Sequence, residues 1–186
     1  LGVQEAKDSD IKDYALLLGV FYDACKEIME MEDYLPSTDL ERFPRVNIHL
    51  PTKDKNKLGG WGWKVTIKDQ KPEKNTDRLL EGSFVCVKDC VAIAGVPMLF
   101  GTDFITNYTP KTDATIITRL LEAGDTIEGK AVCEKLCHSA TSHSAVTGVV
   151  HNPYAMGYST GGSSSGTAAV VADPQEHVDI GIGADQ

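Results

Sequence analysis

The stretch that most restricts the fold is Gly157-Tyr-Ser-Thr-Gly-Gly-Ser-Ser-Ser-Gly-Thr-Ala-Ala-Val-Val-Ala172. A glycine–serine loop there passes directly into a helix-forming Ala/Val segment. Its glycines, Gly161, Gly162 and Gly166, let another group come close to the main chain. Ser163, Ser164 and Ser165 fall where the helix begins, beside unpaired N–H groups and the positive end of its dipole. Such a place suits an anion, either a phosphate or the oxyanion of an acyl transfer.

Three chemistries compete for this loop, and a plain Gly/Ser surface linker stands against all of them. A phosphate-binding loop has the glycine spacing of Gly161 to Gly166, but Thr167 stands where its lysine belongs. A nucleophile elbow is spelled by Gly162-Ser163-Ser164-Ser165-Gly166. That motif should follow a buried hydrophobic strand, and Met156-Gly-Tyr-Ser-Thr160 does not read as one. The third chemistry pairs a serine with a distant lysine.

The bulk properties narrow the partners. A formal net charge of −9 argues against nucleic acid or an anionic membrane. No apolar run approaches the roughly 20 residues needed to span a bilayer. Five cysteines (Cys25, Cys86, Cys90, Cys133 and Cys137) favour free thiols in a reducing compartment, so a cytoplasmic setting is expected. The two Cys-x3-Cys spacings, with His138 adjacent, are compatible with zinc, but buried thiols packing as small hydrophobes are the default.

Along the chain, residues 10–32 carry apolar side chains at three- and four-residue intervals, which predicts a helix capped by Ser9 or Asp10. Pro36, Pro44 and Pro51 punctuate an irregular section that reaches the alternating Lys64-Val-Thr-Ile67. Residues 1–75 therefore read as a helical region plus a connection, and 76–186 as a separate α/β portion. In that portion 83–88 predicts a strand, and 91–98 a second apolar stretch. Asp113 is placed to cap a helix through Ile116, Ile117, Leu120 and Leu121 that Gly124 closes. A strand over 126–130, a short helix over 133–139 and a buried strand over 178–183 follow. This alternation predicts an α/β layer architecture.

Several ordered blocks carry a family resemblance: Cys86-Val-Lys-Asp-Cys-Val-Ala-Ile-Ala-Gly-Val-Pro-Met98, Asp113-Ala-Thr-Ile-Ile-Thr-Arg-Leu-Leu-Glu-Ala-Gly124, Gly129-Lys-Ala131, Gly161-Gly-Ser-Ser-Ser-Gly166 and Gly183-Ala-Asp-Gln186. Over residues 79–186 the chain resembles the amidase signature family. The resemblance implies a mixed sheet flanked by helices, with the 10–32 helix matching the extra N-terminal helical region of the larger members. The chain would be an N-terminal part of that fold.

The resemblance also implies a Ser–cis-Ser–Lys triad. Lys88 falls on the catalytic lysine, and Ser163 on the bridging serine preceded by a cis peptide bond. Asp185 and Gln186 open the Asp-x-Gly-Gly-Ser motif of the nucleophile, which is expected just beyond residue 186. Gln186 would supply an oxyanion-hole N–H, Ser164 either bonds the bridging serine or caps the helix, and Asp185 orients the loop. A lysine acts as a base near neutral pH only where its surroundings disfavour its charge; Lys88 ends the apolar run Phe84-Val-Cys-Val87. The plain alternative for Lys88 is an ion pair with Asp89 or Glu134. His138, His143 and His151 offer a Ser–His arrangement that a lysine base makes unnecessary.

The function so implied is hydrolysis of a linear carboxamide, or of an ester or carbamate, through an acyl-enzyme. It needs no cofactor and no metal. The alternatives are the amidase component of a tRNA-dependent amidotransferase and a non-catalytic chain that structures a partner. Expected partners are a small amide substrate and the remainder of the amidase polypeptide or a second chain, with no nucleic acid and no membrane. A homodimer is a further assembly to be considered.

Overall fold

The apolar run Phe84-Val-Cys-Val87, continued by Lys88, forms strand β3 (Phe84–Lys88), whose pleat sorts successive side chains to two faces of a sheet. Val85 and Val87 enter one hydrophobic cluster, while Cys86 enters another. The computed structural model describes residues 7–32, 35–72, 77–105 and 107–185. The chain divides into two compact units, Leu1–Leu35 and Pro36–Gln186.

The first unit holds helix α1 (Asp8–Glu30), none of whose residues is buried. Its start differs from the expected cap. Lys7 is the N-cap residue and makes no side-chain capping bond, while Asp8 and Asp10 lie in the first turn, where acidic groups complement the helix dipole. No helix among the described residues is long and apolar enough to cross a membrane.

The second unit is built on a five-stranded mixed sheet. Its strands are β1 (Arg45–His49), β2 (Trp61–Ile67), β3, β4 (Thr126–Ala131) and β7 (Ile180–Ile182), and they lie in the order β1-β2-β4-β3-β7. The β1/β2 and β2/β4 pairs are antiparallel; β4/β3 and β3/β7 are parallel. Residues read as a connection thus supply two strands. In β2, burial of Trp61, Val65 and Ile67 fixes the strand in the sheet, and the three prolines fall outside the strands. A two-stranded hairpin of β5 (His151–Asn152) and β6 (Ala155–Ser159) precedes the glycine–serine loop. Most of β6 is exposed, so the loop is not launched from a buried strand.

Helix α2 (Thr115–Glu122) joins one core through Ile117, Leu120 and Leu121, which cluster with Val65, Val85, Val87 and Ile127. Helix α3 (Ser165–Ala172) joins the other through Val170, beside Trp61, Cys86 and Ala131. Asp113 does not cap α2; Ala114 is the N-cap residue. The Asp113 carboxylate instead pairs with Arg45 and accepts the Ala94 N–H at 2.8 Å, tying β1 to the loop after β3. The apolar stretch 91–98 forms turns that bury Ile93 and Val96, and the expected helix at 133–139 is a single tight turn, Lys135–Cys137.

A buried ionic cluster fastens the rim of this unit. Asp69 accepts from Arg42 at 3.1 and 3.0 Å, from Arg78 at 2.9 Å and from the Lys71 N–H at 2.9 Å. Burial opposes its charge, but these donors outweigh burial and hold its pKa below the ordinary 3.8. A depressed carboxyl pKa contributes stability that is fully present above the unfolded-state value and lost as pH falls through the folded one. Stability therefore declines below about pH 4, by about 1.4 kcal/mol per unit of depression. Asp69→Asn flattens that acid limb in thermal scans; an identical limb in the variant would exclude Asp69 as its source.

Candidate active site

Strand alternation carries Lys88 onto the same side of β3 as Cys86, toward α3. Lys88 is wholly buried. Its Nζ donates to the Ser163 hydroxyl at 2.6 Å and to the Ala184 carbonyl at 2.5 Å. Neither ion pair considered from the sequence forms. The Asp89 carboxylate faces Lys130 at 3.3 Å, and the Glu134 carboxylate binds Ser144 and Ser165. Among the described residues no carboxylate pairs with Lys88.

The partner hydroxyl is positioned by backbone. The Gly162–Ser163 peptide bond is cis, and the Ser163 carbonyl accepts the Glu134 N–H at 3.0 Å. A Cβ on Gly162 would lie 2.4 Å from the Ser139 carbonyl oxygen. Gly166 is tighter still: a Cβ there would lie 2.3 Å from the Gly60 carbonyl oxygen and 2.4 Å from the Val132 nitrogen. The first turn of α3 therefore presses on β4's extension, and the Gly166 N–H donates to the Val132 carbonyl at 2.9 Å. These contacts explain two loop glycines by close approach.

The remaining candidates separate. Ser164 takes neither role weighed for it from the sequence. It stands at the N-cap position of α3 without a capping bond, and its hydroxyl donates to the Ala184 carbonyl at 3.3 Å. Asp185 is exposed and lines an open cleft with Ser163, Gly162 and residues 138–140. Gln186 lies outside the described residues. Loop 183–185, which follows β7, reaches the site because β7 pairs alongside β3. Another hollow, at Lys64, Phe84, Glu128 and residues 175–178, holds none of the candidate residues.

Cys86, Cys133 and Cys137 are buried, while Cys25 and Cys90 are partly exposed. Burial pushes the Cys86 thiol up to about 12 and the Cys133 thiol further. All five are free. Among the described residues His138, His143 and His151 bond no serine hydroxyl; the His143 ring faces the Thr141 carbonyl at 3.3 Å. Glu134, readable from the sequence as an ion-pair partner for Lys88, is a buried acid beside the site. A lone acid after the apolar Ala131-Val-Cys133 was the available signal.

The chain is similar to known proteins over most of its length. The family model described as Amidase matches residues 64–186. An enantioselective amidase of Rhodococcus rhodochrous is 43% identical over 139 residues, covering 73% of this chain and 25% of that protein. The A subunit of the glutamyl-tRNA(Gln) amidotransferase of Haloarcula marismortui is 38% identical over 119 residues, covering 64% of this chain and 28% of that protein. The chain thus spans about a quarter of the length of the curated relatives it matches. Among solved structures, a serine-to-alanine variant of the Kluyveromyces lactis allophanate hydrolase superposes with a TM-score of 0.52 at 21% identity, covering 80% of this chain and 22% of that one, a likeness of fold.

Proposed function

Because this chain belongs to the amidase signature family, we propose that the protein carrying it hydrolyses a small linear carboxamide through an acyl-enzyme, with Lys88 as base and Ser163 as bridge. The observation that carries the reading is the 2.6 Å contact between the buried Lys88 Nζ and the Ser163 hydroxyl. In its neutral form the amine accepts the Ser163 proton, while Ser163 Oγ takes the proton of a nucleophilic serine supplied beyond residue 186. That serine adds to the amide carbonyl, and N–H groups at and beyond Gln186 hold the resulting oxyanion. On collapse of the tetrahedral adduct, Ser163 returns a proton to the departing amine. Water then attacks the acyl ester by the same relay in reverse. A protonated Lys88 can only donate, so activity needs its neutral form.

The relay explains why two hydroxyls are used. Lys88 is fixed inside the fold by Ser163 and the Ala184 carbonyl, so the bridge extends its reach to the cleft. Five free thiols suit a reducing, cytoplasmic setting. Strand β7, paired on one side among the described residues, offers an edge to further chain.

The test is intact mass spectrometry of the full-length protein with a fluorophosphonate probe. One adduct, on a serine C-terminal to Gln186, is expected. No adduct on folded protein, or an adduct on Ser163, would sink the assignment. A second reading, the amidase component of an amidotransferase, draws on the Haloarcula marismortui relative. Turnover of a simple carboxamide without any partner chain or tRNA favours the first reading, and turnover only with them the second.

A further inference from the structure

Glu134 lies immediately beyond β4 and is completely buried. Its main chain and its side chain bind different parts of the candidate site. The N–H donates to the Ser163 carbonyl at 3.0 Å, and the carbonyl accepts the Cys137 N–H at 2.8 Å, closing the turn that walls the cleft. One carboxylate oxygen, Oε1, accepts the hydroxyl of Ser165, the first residue of α3, at 2.9 Å. The other accepts the N–H and the hydroxyl of Ser144, at 3.0 and 2.7 Å. Its Cγ lies 3.0 Å from where a Gly162 Cβ would stand.

Among the described residues no cation pairs with this carboxylate. A buried anion held only by hydrogen bonds is costly unless each lone pair is used. Burial opposes its charge, yet the Ser144 and Ser165 donors outweigh burial and hold its pKa below the ordinary carboxylate value. The anion also sets direction. Being acceptor-only, it forces both serine hydroxyls to donate inward. A glutamine could keep its oxygen toward the Ser144 N–H, which cannot reverse, but would then aim its NH2 at the Ser165 hydroxyl.

We propose that Glu134 is a positioning residue for the relay: it clamps the start of α3 and the cleft turn around the Ser163 peptide, fixing Ser163 Oγ against Lys88 Nζ. This rests on the Ser163–Lys88 reading of the site. Ser163 is held in place from two directions, by the Glu134 N–H directly and by the carboxylate through Ser165. Loosening the second hold moves the bridging oxygen without removing any reacting group.

The experiment compares Glu134→Gln, Ser165→Ala and the double variant in the full-length protein, with a small carboxamide as substrate. Per folded molecule, Glu134→Gln lowers kcat roughly 10–100-fold and leaves KM within about threefold, as expected for misplacement of a relay group. Ser165→Ala lowers kcat in the same direction, and the double variant is no slower than Glu134→Gln, because both act through one clamp. A wild-type kcat for folded Glu134→Gln, with a lowered melting temperature alone, overturns the inference and makes Glu134 merely structural. If Glu134→Gln does not fold, an unchanged kcat in Ser165→Ala has the same force. Failure of the underlying reading looks different: the wild-type protein itself is then inert to carboxamide and fluorophosphonate.

Discussion

Lys88→Ala in the full-length protein lowers kcat for carboxamide hydrolysis by at least about 10³-fold while circular dichroism stays unchanged. The size follows from the relay. In the proposed relay, loss of the amine leaves the Ser163 proton without an acceptor, and the nucleophile must attack as a neutral hydroxyl. Lys88 also fills a wholly buried position, so removal of its stem leaves a gap. Lys88→Met separates these effects, because it keeps most of the volume and discards the base. Both variants should be equally slow, and Ser163→Ala combined with either should cost little more, since relay members act as a unit. Near wild-type turnover in Lys88→Met would falsify the assignment of the base. A large loss in Lys88→Ala alone would assign the effect to packing.

Lys130→Ala destabilises the folded protein by about 3–5 kcal/mol. Lys130 and Asp89 are both buried, and their Nζ and Oδ1 atoms face each other at 3.3 Å. Burial lowers the Lys130 pKa, and the Asp89 carboxylate opposes that shift. Asp89 is also committed elsewhere: its Oδ2 accepts the Leu99 and Phe100 N–H groups at 2.9 and 2.7 Å. Deleting the lysine strands a buried carboxylate that the loop cannot release. Lys130→Met should recover the packing but little of the electrostatic loss. Chemical denaturation measures both; a loss below about 1 kcal/mol in Lys130→Met would mean the two N–H groups suffice for Asp89.

The elements with a strong local pattern were legible in the sequence. The short continuous apolar run at 84–87 and the three- and four-residue spacing at Ile117, Leu120 and Leu121 each answer to one local geometry, and β3 and α2 form there. Capping and short turns were less legible. Asp113 has the chemistry of a cap, yet Arg45, far away in sequence, pairs with its carboxylate, so a tertiary ion pair overrides a local preference. At 133–139 Leu136 and Cys137 take positive φ values, which ends the expected helix after one turn. Strand β1 does alternate, with Val46 and Ile48 between Arg45, Asn47 and His49, but it is short, follows Pro44 and is mostly exposed; pairing with β2 makes it a strand.

The candidate site divides in the same way. The sequence alone determined the residue types: a lysine ending an apolar strand, and serines and glycines at a helix start. Their local conformations follow from short-range sterics and hydrogen bonding. Only the tertiary structure decided that Lys88 meets Ser163, 75 positions away, rather than Asp89 beside it. It also gave Asp89 to Lys130 and Glu134 to the two serines. A buried charge takes whichever partner the packed sheet brings within hydrogen-bond distance, and that choice belongs to strand order and register rather than to neighbours in the chain.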